Sequence, residues 1–130
     1  MNKVVDWRRE WPALILILLA VAVTIWLYPR LPDPMPTHWN FQNEVDGYSS
    51  RAAGAWLMPL MAAGIYLLLV AIPFLDPRRE NVASMADLYR LVRLGMTGFM
   101  TLLHIVLLMA VLYGRSDLVG RAVPAIVGLL

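Results

Sequence analysis

The residues with the most chemistry in their side chains gather in one short stretch: His38, Trp39, Asn40, Glu44, Asp46 and Tyr48. An imidazole and two carboxylates can ligate a hard or borderline metal, with Asp33 as a fourth oxygen donor, but the spacing matches no recognised zinc pattern and no metal is assigned. As an acid–base pair, Glu44 and Asp46 need burial to drive their pKa values apart, so bonding to each other and to the turn backbone is the expected role. No Ser-His-Asp arrangement, phosphate-binding glycine loop or HExxH pattern occurs, so catalysis is not expected and no cofactor is implied. These residues are better suited to binding, and His38, Trp39, Asn40, Glu44, Asp46 and Tyr48 are the candidate contacts for a ligand or partner.

What must position them is a chain of 130 residues that is 60% hydrophobic, far above the roughly 45–50% of an ordinary soluble domain. The eleven basic and nine acidic residues avoid three stretches, 11–29, 52–75 and 94–114. A hydrocarbon layer about 30 Å thick needs about 20 apolar residues of helix, and all three stretches meet that length. Continuous apolar runs such as Leu14-Ile15-Leu16-Ile17 contain no alternation, so a β-barrel is excluded and closed helices are required. The expected fold is all-α, an integral membrane bundle of three spanning helices with the start of a fourth at 118–130. Residues 1–130 are read as a single membrane domain whose fourth span is truncated. Ala20-Val21-Ala22 offers a rival reading of the first span as a cleaved signal peptide, but Trp26 and Tyr28 extend it as an interfacial anchor, with Trp7 and Trp11 at the other end.

Lys3, Arg8, Arg9, Arg78, Arg79, Arg90 and Arg93 fall on one side of the spans, and Arg30, Arg51, Arg115 and Arg121 on the other. Seven against four places the N-terminus in the cytoplasm and the 30–51 loop outside. The net charge of +2 reflects this bias and implies no direct contact with nucleic acid. With no cysteine there is no disulfide framework.

Four prolines between Pro29 and Pro36 forbid a helix in that loop and predict an extended, polyproline-like exit from the first span. Alternation then turns Trp39 and Phe41 one way and His38, Asn40 and Gln42 the other. Asn43 tolerates a left-handed conformation, and Asp46-Gly47 reads as a turn, so an ordered loop is expected. In the cytoplasmic connection 76–93, Asp76-Pro77 stops a helix and Asn81 is a candidate N-cap for the next. That helix carries Met85, Leu88, Tyr89 and Val92 on one face and shows Asp87, Arg90 and Arg93 on its flank, where the arginines reach anionic lipid or a cytoplasmic partner. His104 is the ionisable residue inside the spans, on a stripe with Thr97, Thr101 and Leu108 whose hydroxyls can satisfy the imidazole. Pro59 and Pro73 are expected to kink the second span, and Gly64, Gly95 and Gly98 to allow close helix contact.

Leu31-Pro32, Pro36-x-His38-Trp39-Asn40 and Glu44-x-Asp46-Gly47-Tyr48 resemble the first extracytoplasmic loop of the SdpI-like family of bacterial membrane proteins. Asp76-Pro77-Arg78-Arg79-x-Asn81 with Tyr89 is similar to that family's cytoplasmic segment, and Asn43 stands where the family has glycine. The resemblance implies a multi-pass inner-membrane protein giving immunity to, or sensing, a membrane-active toxic peptide at the outer loop, with a cytoplasmic regulator as partner. The family's C-terminal half has no counterpart in this sequence. An ion or solute transporter subunit and a metal-binding membrane protein are the alternatives; neither reading sets an oligomeric state. If the orientation is right, an impermeant label reaches residues 30–51 in intact cells, and the chain sediments with membranes unless detergent is added.

Overall fold

The structure, a computed structural model, describes residues 5–75 and 84–128. Asp76, Pro77, Arg78 and Asn81 lie outside the described residues. Among the described residues, four α-helices follow in order: α1 (Trp11–Leu27), α2 (Arg51–Leu75), α3 (Ala86–Tyr113) and α4 (Ser116–Val127). Between α1 and α2 come two strands, β1 (Met35–Trp39) and β2 (Val45–Ser49), paired antiparallel. The expectation of an all-α fold is therefore corrected: the outer loop is a β-hairpin on a helical bundle. Loop prolines rule out helix but leave a strand open, and Leu31 leaves α1 and its 3-10 turn at φ −72°, ψ 142°, the polyproline conformation expected there.

Among the described residues, Trp11–Arg30, α2 and α3 are long and apolar enough to cross a membrane. Their 3.6-residue winding satisfies the backbone internally, which a hydrocarbon environment demands. Pro12 enters the first turn of α1, where its missing N–H costs nothing. Pro59 and Pro73 both lie within α2 with their side chains buried. Gly114, at φ 60°, ends α3 in a left-handed cap whose N–H reaches the Ala110 carbonyl. Arg115 then grips Asp117 through two hydrogen bonds of 2.7 and 2.8 Å in the first turn of α4, which holds the Asp117 carboxyl below its ordinary range.

α3 is the central helix, packed against α1, α2 and α4. Its buried face is unusually rich in polar groups, beside Met100, Leu108 and Ala110. Arg93, Thr97, Thr101 and His104 are almost wholly buried, while Leu88, Leu91 and Leu102 are exposed. Lipid tails are as apolar as leucine, so helices in a bilayer gain little by burying leucines against each other, and hydrogen bonds and small side chains take over. The Thr101 hydroxyl donates to the Leu16 carbonyl at 3.1 Å. Thr24 spends its one proton on the Ala20 carbonyl at 2.8 Å, so its oxygen accepts from His104 Nε2–H at 2.7 Å. His104 thus finds its partner on α1, not in Thr97 or Thr101 of its own stripe, because Thr97 bonds back to the Arg93 carbonyl and Thr101 crosses to α1. Ala13, Ala20, Ala55 and Ala62 supply the small contacts, whereas a Cβ on Gly64 or Gly95 would meet nothing within 4 Å. Close helix contact therefore comes from alanines and not from those two glycines.

Arg93 also departs from expectation. It is 1% exposed and reaches across to Glu10 at the head of α1, with Nη2 on Oε1 at 2.5 Å and Nε on Oε2 at 3.2 Å. The Tyr66 hydroxyl of α2 donates to the same Glu10 oxygen at 3.2 Å, so one carboxylate joins three helices. Asp87 and Arg90 stay on the flank as expected, and Arg9 bridges to Asp87 at 2.9 Å. Removing one member of a buried ion pair strands the other charge, at about 3–5 kcal/mol, whereas replacing both by apolar groups is close to neutral. Arg93→Met should therefore destabilise the bundle strongly in mixed-micelle unfolding, and Glu10→Leu added to it should restore most of the loss.

Candidate functional site

The hairpin is shaped by one side chain. Asn40 Oδ1 accepts from the backbone N–H of Gln42 and of Glu44, each at 2.9 Å. Its own N–H donates to the Glu44 carbonyl at 2.9 Å, and Asn43 N–H returns to the Asn40 carbonyl at 3.0 Å. This Asx arrangement makes residues 40–44 the turn, with Asn43 at φ 62° in the left-handed region that its side chain tolerates. Asp46-Gly47 is accordingly not the turn but part of β2, a correction with a clear cause: the turn backbone is already satisfied by Asn40.

The strand register runs Met35↔Ser49, Pro36↔Tyr48, His38↔Gly47 and Trp39↔Val45. Thr37 on β1 and Asp46 on β2 are thus each the extra residue of a bulge. Bulges break simple alternation, and His38 and Trp39, expected on opposite faces, line the same cavity. Phe41, expected beside Trp39, stands in the turn and is fully exposed. Asp46, turned by its bulge, faces His38 with Oδ1 at 2.5 Å from Nδ1. A carboxylate only accepts, so Nδ1 carries the proton of this bond. Gly47 is required opposite His38, because a Cβ there would lie 2.8 Å from His38 Cβ. Glu44 bonds to Asn40 Nδ2 at 3.2 Å and not to Asp46, so the expected carboxylate pair does not form.

The hairpin is plugged into the bundle by Met35. It is fully buried and packs with Leu27, Leu31, Ala55 and Leu108, where the far end of α1, the start of α2 and the end of α3 converge. Gly54 of α2 makes room, since a Cβ there would sit 2.8 Å from Met35 Sδ and 3.0 Å from Ser49 Oγ. Two loop side chains fix the start of α2: Asp33 Oδ1 accepts from Arg51 N–H and Ser50 Oγ from Ala53 N–H, both at 3.3 Å. At the tip, Asn43 comes so close to α4 that Gly120 has no space for a Cβ. Arg30 lies over the Trp26 ring at 5.0 Å and Arg51 over the Tyr28 ring at 5.8 Å, placing cations and aromatics together at this end of the spans.

Between hairpin and helices lies a cavity of about 520 Å³. Thr37, His38 and Ser49 edge it from the hairpin, and Leu57, Leu103 and Leu107 form apolar wall from α2 and α3. Of the sequence candidates, His38 and Trp39 line this cavity, Asp46 holds His38, and Asn40 and Glu44 build the turn. Tyr48 is exposed opposite Pro36. Tyr89 lies in the first turn of α3, at the opposite end of the bundle, and His104 is buried between α1 and α3. Asp33, His38, Glu44 and Asp46 do not converge on a common point, and no group of three potential metal ligands occurs among the described residues.

Residues 15–63 match a family described as Domain of unknown function (DUF1648). The matched stretch takes in most of α1, the whole hairpin and the first half of α2. Neither the curated proteins nor the solved structures contain a match.

Gly54→Val drives a branched side chain into Met35 and Ser49, an overpacking worth about 1–3 kcal/mol. The hairpin should open more often, and chymotrypsin cleavage after Phe41 in reconstituted protein should quicken by at least about fivefold, the factor that 1 kcal/mol sets.

Proposed function

We propose that this chain is a non-enzymatic bacterial inner-membrane protein of SdpI-like type, which senses or gives immunity to a membrane-active toxic peptide through the Met35–Ser49 hairpin. The observation that carries this reading is the hairpin itself, an ordered element plugged into the bundle by Met35 that presents His38, Trp39 and Asp46 at the end of the spans. Long connections without helix are functional or disordered, and this one has its turn, strands and anchor all satisfied. The lysine and arginine bias puts it outside the cell, where a secreted peptide arrives, and the Tyr89 end inside, where a regulator would dock. Membrane lipid is the constant partner.

A transporter subunit is a second reading, supported by Glu10, Arg93 and His104 being buried between α1 and α3. Proteoliposomes holding the purified chain should carry no ion current above empty vesicles under the peptide-sensing reading; a current lost in His104→Leu would favour transport. In cells challenged with membrane-depolarising peptides, the wild-type chain should preserve the membrane potential. His38→Ala, Trp39→Ala and Asp46→Ala should each abolish that protection with the protein still inserted. Full protection by all three variants would remove the hairpin from the mechanism.

A further inference from the structure

The cavity beneath the hairpin differs in character from the surface above it. Its hydroxyl and imidazole side chains, Thr37, His38 and Ser49, come from the hairpin, and the helices line it with flexible aliphatic side chains that include Met58, Leu103 and Leu107. At about 520 Å³ it falls within the roughly 300–1,000 Å³ of small-ligand sites. Of the hairpin's large aromatic side chains, Trp39 edges the cavity and leaves this volume open, while Phe41 points wholly into solvent. One wall also runs out to the bundle's surface. Leu57 lines the cavity yet is 58% exposed, and Leu60 and Met61 continue the apolar exposed surface of α2 beside it.

We propose that this cavity holds one aliphatic chain of a membrane amphiphile, entered from the bilayer past Leu57, with the polar end of the molecule at His38, Thr37 and Ser49. The apolar solute that bathes an exposed leucine on a membrane helix is a lipid tail, so the occupant is always at hand. A tail leaving the bilayer for a leucine-lined cavity gains little from the exchange, because the two surroundings are equally apolar. Selection among amphiphiles then falls to the polar end, where the hairpin offers two hydroxyls and an imidazole oriented by Asp46. The site would accept many tails and few head groups. This goes beyond peptide sensing and stands on the cavity alone.

Ala53 lines the cavity and is itself exposed, so an aromatic side chain there blocks the space without entering the core. The test uses the full chain in vesicles of phosphatidylglycerol and phosphatidylethanolamine carrying a trace of phospholipid with a photoreactive group at the tail end. After irradiation, adducts on Met58, Leu103 and Leu107 are compared with those on Leu60 and Leu67, which face outward and report ordinary surrounding lipid. The proposal expects Ala53→Phe to cut cavity adducts by at least about tenfold, the ratio set by 1.4 kcal/mol, with surface adducts unchanged. His38→Ala should lower cavity labelling by one phospholipid head group more than by the other. Cavity labelling no stronger than surface labelling, or cavity labelling untouched by Ala53→Phe, overturns it. Chymotrypsin resistance at Phe41 verifies that the hairpin of the blocked variant is seated. Should Ala53→Phe unseat it, Val119→Phe closes the cavity from α4 and is read in the same way. None of these readouts depends on protection from a peptide, so the two proposals fail separately.

Discussion

Everything else in the bundle leans on the polar seam between α1 and α3. In water, a helix buries its apolar stripe and shows its polar face; here α3 turns Arg93, Thr97, Thr101 and His104 inward, beside Met100, Leu108 and Ala110, and shows leucines on its outer side. The reason is the solvent. With no hydrophobic gain between helices in a bilayer, association depends on interhelical hydrogen bonds and close approach, and a polar group left facing lipid would be costly. The seam is pinned at both ends. Glu10 ties Arg93 and Tyr66 at one, and Thr24 holds His104 toward the other, so α1 and α3 are fixed in both rotation and height. A loop can be positioned to within a side chain's width only on elements held in this way.

The hairpin inherits its position from that seam. Met35 is seated where Leu27, Ala55 and Leu108 meet, on three different helices, so a shift of α1 against α3 alters the socket before it alters anything outside. The cavity has the same dependence, for its walls come from α2, α3, α4 and the hairpin together. Site and bundle form one mechanical unit, and the stretch matched by the family model takes in the hairpin with most of α1 and the first half of α2, while Leu108 of α3, the third wall of the Met35 socket, lies beyond it.

The three helices long and apolar enough to cross a membrane were legible in the sequence because charge exclusion and length are properties of each segment alone. Partner choice was not. Arg93 looks like a flank residue until Glu10 is seen across from it, and the two are 83 positions apart in the chain. The Thr97 and Thr101 spacing placed the polar stripe correctly, yet the bond to His104 comes from Thr24 on another helix. In the loop, His38, Trp39 and Asp46 stood out by chemical type, and Asn43 by its tolerance of positive φ. The turn itself was misplaced because Asp46-Gly47 is the stronger local signal, whereas Asn40 wins by satisfying two backbone donors at once. Met35 and Gly54 carry no signal alone; their meaning lies in each other.

The two bulges have an effect on what kind of visitor the hairpin can receive. A two-stranded sheet has a free edge on either side, and a regular edge offers a ladder of amide and carbonyl groups that any extended polypeptide can zip onto. With Thr37 and Asp46 each out of step, within strands of five residues, that ladder is interrupted on both sides. Growth by strand addition, whether by a stray segment or by a neighbouring copy, is discouraged, and a visitor is met by side chains whose identity can discriminate.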